Sequence, residues 1–358
     1  MTQHRSSHRF TRRQALGMGA AGVLGAGLPS LASAQAANEV RILFAGGTWK
    51  DWYEQSFTND FAAANNVKMN WRTGLRQAPL AIAQRRRPQW DLIHINQTES
   101  AQIGTMGILK PFVDAELPNL KDIHPSFKYE FLAGKIHTPY GLAVNTKRIT
   151  RKIDSWLDMW DPAFKGKVAF PQFSWVGEEV FHAVNQVLGG SEDNVDPGIA
   201  KFKELFKSNG AILGNNVEHA IQLLSTEEIW IMPLFSARTD QARAKGGPVE
   251  FIVPKEGGLS WIWNTGLIAN RGKASEEMAA KLVNMTLDPE RQIAFSRRTG
   301  YPPTNVKAMK NLPADLKKLE ISDADLEAYG KIQRKFDYMT MFAFKDQVTE
   351  RFNKEVLA

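Results

Sequence analysis

Along residues 39–269, short apolar runs alternate with longer segments whose apolar positions recur every three or four residues. The short runs predict strands and the longer segments predict helices. Residues 39–45 form a β-rich run ending at Gly46-Gly47, a helix through Trp52, Phe57 and Phe61 follows, and residues 67–71 read as a second strand. Residues 91–95 predict another strand, then a helix around 100–106 and a loop marked by Pro111 and Pro118. Further strands are expected over 138–145, 166–170, 228–232, 249–253 and 261–269, with helices over 156–160, 178–188, 200–208, 217–224, 236–245 and 275–287. After Pro302 the chain is charged and helical. This alternation predicts an α/β architecture on central, largely parallel sheets, in which ligands bind outside the strand C-termini. At 358 residues a single core becomes awkward, so two lobes with a cleft between them are expected.

The first 36 residues break the pattern. Residues 1–13 are polar and basic, residues 15–28 are small and apolar, and Ala32-Ser33-Ala34 fits a small-residue cleavage site, which together make a three-part export signal. Arg12-Arg13 resembles the pair of a twin-arginine signal, and an ordinary secretory signal with two arginines is the alternative. A membrane span fits poorly, because Gly17, Gly19, Gly22, Gly25, Gly27 and Pro29 interrupt the apolar stretch. The mature protein is expected to be soluble in the periplasm.

Charge and chemistry narrow the function. Of the formal charge of +7, the four arginines of the leader supply 4, leaving +3 on the rest, with no concentrated basic stripe for nucleic acid. The dense run Arg85-Arg86-Arg87 precedes Pro88 and reads as a solvated helix end. With no cysteine, thiolate-bound zinc, iron–sulfur clusters and thiol catalysis are excluded. The chain has no GxGxxG after a strand, no phosphate-binding loop, no GxSxG elbow and no HExxH. His94, His124, His137, His182 and His219 are scattered without metal-ligand spacing. Neither an enzyme nor a cofactor is expected.

Several runs taken in order carry a resemblance: Asp91-Leu92-Ile93, Gly107-Ile108-Leu109, the stretch from Ser155 to Pro162, Lys165-Gly166-Lys167-Val168, Glu179-Val180-Phe181, Pro254-Lys255-Glu256-Gly257-Gly258, and Gly300-Tyr301-Pro302 with Thr304-Asn305. Over most of its mature length the chain resembles bacterial extracellular solute-binding proteins of the spermidine/putrescine type. The resemblance implies a two-lobed periplasmic binding protein fold of type II-like form, joined by crossover strands near 139–145 and 261–269. It places residues 37–140 with about 265–305 in one lobe, and 141–264 with about 306–358 in the other. It implies a monomer that closes on a small-molecule ligand and docks on an ABC permease of the inner membrane. A ferric-ion or phosphonate receptor of the same fold is the alternative, and a twin-arginine-exported enzyme a more distant one.

Strand-end loops are where ligand contacts are expected. Trp49 and Trp52 follow Gly46-Gly47, although Trp52 equally fits a core-facing helix position. Asn96, Gln97 and Thr98 open a helix, where they serve either a ligand or a cap. By resemblance, Trp175, Glu179, Phe235, Trp261 and Tyr301 join the site. The chain departs from the family at two further acidic positions, now Val176 and Trp263, so a fully charged polyamine lacks counter-charges. Trp263 is instead counted with the aromatic set, which suits a monoamine, a quaternary amine or a zwitterion. Arg238, one turn past Phe235, could meet a carboxylate, but an exposed helix arginine is its preferred reading.

Overall fold

A computed structural model describes residues 38–74, 77–333 and 335–358. The leader therefore lies outside the described residues. Twelve strands are formed among those residues: β1 Glu39–Phe44, β2 Lys68–Thr73, β3 Leu92–Ile95, β4 Leu109–Lys110, β5 Lys128–Tyr129, β6 Leu132–Ala133, β7 Ile136–Asn145, β8 Ala169–Pro171, β9 Ile212–Gly214, β10 Ile231–Phe235, β11 Val249–Ile252 and β12 Leu259–Ile268.

Two cores organise them. In β1, Val40, Ile42 and Phe44 face one core, with Tyr53, Phe57, Val283 and Phe295, while Leu43 faces a smaller cluster with Ile93, Ile103 and Ile268. This period-two alternation buries both faces of the first sheet under helices. The second lobe repeats the arrangement. Tyr140, Leu142 and Val144 of β7 pack with Trp156, Phe181, Phe202 and Phe352, and Ala143 packs on the opposite face with Ile221, Leu224 and Leu234. The C-terminal segment serves both lobes: Leu326 packs in the first core, and Ile332, Val348 and Val356 in the second.

The expectation of largely parallel sheets is corrected. β1 pairs in parallel with β2 and β3, but β12 is antiparallel to β3, and β10, β11 and β12 are all antiparallel to β7. The physical reason is the crossover. β7 carries the chain out of the first lobe and β12 brings it back, so the two must run in opposite directions. β7 pairs with β12 over Ile136–Tyr140 and with β11 over Leu142–Asn145. Gly141 sits at that change of partner, where a Cβ would lie 2.3 Å from the Ile252 carbonyl oxygen.

Smaller corrections have local causes. The strand expected at 228–232 is displaced to Ile231–Phe235, because Glu227 adopts φ 56° and the chain is still turning there. The helix expected near 100–106 begins earlier, at Gln97, because Asn96 caps it: its side chain accepts the Glu99 N–H at 2.8 Å, and the Glu99 carboxylate accepts the Asn96 N–H at 3.3 Å. The Pro289–Thr299 helix, capped by Asp288, was not predicted.

Candidate ligand-binding cleft

A cavity of about 490 Å³ lies between the cores. Trp49, His94, Asn96, Trp263 and Tyr301 line it from the first lobe, Trp175, Val176, Phe235 and Arg238 from the second, and Thr138 and Trp261 from the crossover strands. Its volume suits a small organic molecule held by aromatic walls with a few polar groups.

The first wall is a column of rings. Gly47, at φ 61°, makes the turn that places Trp49 at the start of the Thr48–Tyr53 helix. The Trp49 ring stacks on Trp263 with centroids 4.0 Å apart and 11° between planes. Trp263 stacks on His94 at 4.7 Å, and His94 on Phe44 at 4.5 Å. Burial, with Lys135 nearby, holds the His94 imidazole well below its usual pKa, so it joins the stack neutral. Trp52 stands edge-on to Trp49 at 5.5 Å and packs against the first core outside the cavity wall, which is its core-facing reading.

On the opposite side, Phe235, Trp261 and Tyr140 meet edge to face, with centroid separations of 4.7, 5.2 and 5.3 Å. Such geometry sets positive ring edges against negative faces and fixes each plane. Trp175 packs against both hydrophobic clusters of the second lobe.

The polar residues divide. Asn96 lines the cavity while its side-chain oxygen caps the helix. Thr98 lies in the first helical turn and outside the cavity wall. Gln97 is buried, and its amide bonds the backbone of Ser260 and Ile262 rather than reaching the cavity.

Glu179 is not part of the cavity wall either. It lies half-buried in the first turn of the Glu178–Val187 helix. Its partner by charge is taken: Lys345 bonds Glu178 at 2.6 Å. Burial first, and then the adjacent Glu178, push the Glu179 carboxyl up to about 8. The buried hydroxyls of Tyr140 and Tyr338 lie within its electrostatic reach, and that of Tyr140 has no hydrogen-bond partner among the described residues.

Several cavity residues, among them Gln77, Glu99, Thr138 and Arg238, were not placed in the site by the sequence. Glu99 could have been found from the Asn-x-x-Glu spacing of a capping box. Arg238 is the more consequential. It does not project into solvent as an exposed helix arginine; it lines the cavity, with its guanidinium 5.7 Å from the centre of the Tyr301 ring and hydrogen-bonded to that hydroxyl. Among the described residues no carboxylate pairs with it. The signal was its place in the first turn after β10, where helix N-termini of α/β folds face the cleft.

Residues 56–321 match the family of bacterial extracellular solute-binding proteins. The chain belongs to that family. It is similar to the spermidine/putrescine-binding periplasmic protein 1 of Haemophilus influenzae, with 26% identity over 296 residues, covering 78% of this chain and 79% of that one. Among solved structures it is similar to an ABC transporter protein of Clostridium perfringens, with TM-score 0.74 and 17% identity over 88% of this chain and 99% of that one. It is also similar to the Atu4243 GABA receptor, with TM-score 0.71 and 19% identity over 88% and 96% of the two chains. At those identities the structural likeness carries the two-lobed binding-protein fold. Among the described residues no helix is long and apolar enough to cross a membrane.

Proposed function

We propose that this protein is the periplasmic substrate receptor of an ABC importer, and that its ligand is a small zwitterion carrying an amine and a carboxylate. The observation that carries this reading is Arg238, a cavity-lining cation whose partner is a tyrosine hydroxyl and not a carboxylate. A guanidinium in that setting is matched by the two oxygens of a ligand carboxylate. The aromatic rings of Trp175, Phe235 and Trp261 offer cation–π contact to an amine, facing the wall formed by the stacked Trp49 and Trp263. Spermidine, named in the Haemophilus relative, carries several ammonium groups, each needing a counter-charge that Val176 and Trp263 do not supply. GABA, named in the structural neighbour, has both groups of a zwitterion.

On this reading residues 1–36 direct export, and residues 37–140 with about 265–305 form the first lobe. The protein acts as a monomer that hands its ligand to a permease and performs no catalysis. Calorimetric titration of the purified protein with GABA, glycine betaine, an aminoalkyl phosphonate and spermidine tests the proposal. Micromolar or tighter binding of a carboxylate-bearing amine, with little heat from spermidine, is expected. Tight spermidine binding would overturn the ligand reading while keeping the receptor role, and phosphonate alone would replace the carboxylate at Arg238.

A further inference from the structure

β12 forms a ladder with β7 along one edge through residues 259–263, but on its other edge the ladder to β3 begins only at Asn264. Peptide groups at Ser260 and Ile262 therefore meet an open edge at the point where the chain passes between the lobes. Buried peptides must find partners. Two buried glutamine side chains supply them. Gln97 donates from Nε2 to the Ser260 carbonyl at 2.8 Å and accepts the Ile262 N–H on Oε1 at 3.2 Å. Gln333 donates to the same carbonyl at 2.7 Å and accepts the Ser260 N–H at 2.9 Å. Each primary amide offers the donor and acceptor that one peptide of a neighbouring strand would.

The two side chains come from different elements. Gln97 belongs to the Gln97–Thr105 helix, whose Ile103 packs in the first lobe. Gln333 ends the Asp323–Gln333 helix, which passes from Leu326 in the first core to Ile332 in the second. Both hold one peptide of a crossover strand, and Trp261, a cavity wall residue, lies between the peptides that Gln97 bonds. A backbone strand in this position would continue the ladder rigidly across the hinge. An amide on rotatable methylenes holds the same groups and releases them for a few hydrogen bonds. In the orientation observed the lobes touch across the cleft, with Ala237 packed against the first core and Arg238 against Tyr301.

We propose that Gln97 and Gln333 form an amide clamp on Ser260 that favours this compact orientation and sets the equilibrium between compact and open lobes. They are positioning residues, since neither lines the cavity. Because they share an acceptor, their effects are less than additive.

The chain contains no cysteine, so Val113→Cys with Ile212→Cys, two exposed positions on opposite lobes, allows specific spin labelling. Pulsed electron paramagnetic resonance then reads the inter-label distances of the unliganded protein with both glutamines intact, in Gln97→Met and in Gln333→Met. Each substitution is expected to raise the ratio of long to short distances by about tenfold, the effect of leaving buried peptide groups unpaired. Distance distributions that superimpose on the parent in both variants, with only a lower melting temperature, would show that the amides merely support local structure, and the proposal would fall. If one variant does not fold, the other decides, because each removes a different amide. The readout uses no ligand, so its outcome is separate from the identity of the solute.

Discussion

Arg238 of the second lobe lays its guanidinium 5.7 Å from the ring centre of Tyr301 of the first, spanning the cleft, and among the described residues no carboxylate pairs with it. The contact has two consequences. It ties the two lobes to each other, and it presents a cation whose replacement removes no ion pair among the described residues. Arg238→Gln is therefore expected to leave the unfolding free energy within about 0.5 kcal/mol of the parent. It should weaken binding of a carboxylate ligand by about 2–3 kcal/mol, a factor of roughly 30 to 150. Urea denaturation of parent and variant checks the first half and titration calorimetry the second; equal affinities would remove the carboxylate from the proposed ligand.

Glu179 gives a pH signature. Its carboxyl is pushed up to about 8 in the folded protein by burial and by Glu178, from an ordinary value of 4.5. Between those values the unfolded chain has lost a proton that the folded chain keeps, so this group makes stability fall as pH rises from about 4.5 to 8. A ligand ammonium nearby favours the ionised form, so binding an amine releases a proton and strengthens as pH rises through the same window. Glu179→Gln should flatten both dependences. Affinity measured at pH 6, 7 and 8.5 provides the check, and an unchanged slope in the variant would place the linked proton elsewhere.

Much of the lobe architecture could be read before any geometry was known, because alternation such as Val40, Ile42 and Phe44 against Leu43 is local information. Strand direction could not be read that way, since the opposed course of β7 and β12 depends on the chain leaving a lobe and returning to it. The aromatic residues at the cleft were visible as types and not as partners. Nothing near Trp49 announces that Trp263 will cover its face. Gln97, next to Asn96 at the mouth of a helix, has the appearance of a ligand contact; only the unpaired edge at Ser260 reveals its role. Arg238 reads as one more solvated arginine until Tyr301 is placed opposite it.

Within the first lobe, Asp91 is almost wholly buried and accepts from the Arg271 side chain at 2.7 Å and the Arg41 N–H at 2.8 Å. Arg271 also donates to the Pro88 carbonyl, tying the loop before β3 to the loop after β12. Removing the guanidinium leaves a buried carboxylate with one backbone donor. Arg271→Ala is expected to cost about 3–5 kcal/mol of unfolding free energy, well above the effect of a surface ion pair. Chemical denaturation checks the loss, and ligand affinity should remain at the parental value because the pair is remote from the cavity wall.

Lys135 poses the opposite case, a buried amine with no acid beside it among the described residues. It is 1% exposed; its Nζ donates to Thr265 Oγ1 at 2.6 Å and lies 4.8 Å from the centre of the Tyr53 ring. Burial holds the amine well below its usual pKa. The folded state therefore binds fewer protons than the unfolded chain until pH approaches the ordinary value of 10.5, and this group's contribution to stability rises with pH and is lost as pH falls. That slope is opposite to the one from Glu179, so the two variants separate what the parent protein shows only as a sum. Lys135→Met keeps the aliphatic stem, deletes the proton linkage, and leaves Thr265 with the Tyr53 hydroxyl at 3.3 Å. It should raise the melting temperature at pH 7 by about 1–2 °C, the equivalent of roughly 1 kcal/mol, and reduce its pH dependence between 6 and 9. A melting temperature that falls by as much would mean that the amine stays charged, held by the face of Tyr53 and by Thr265 strongly enough to offset its desolvation.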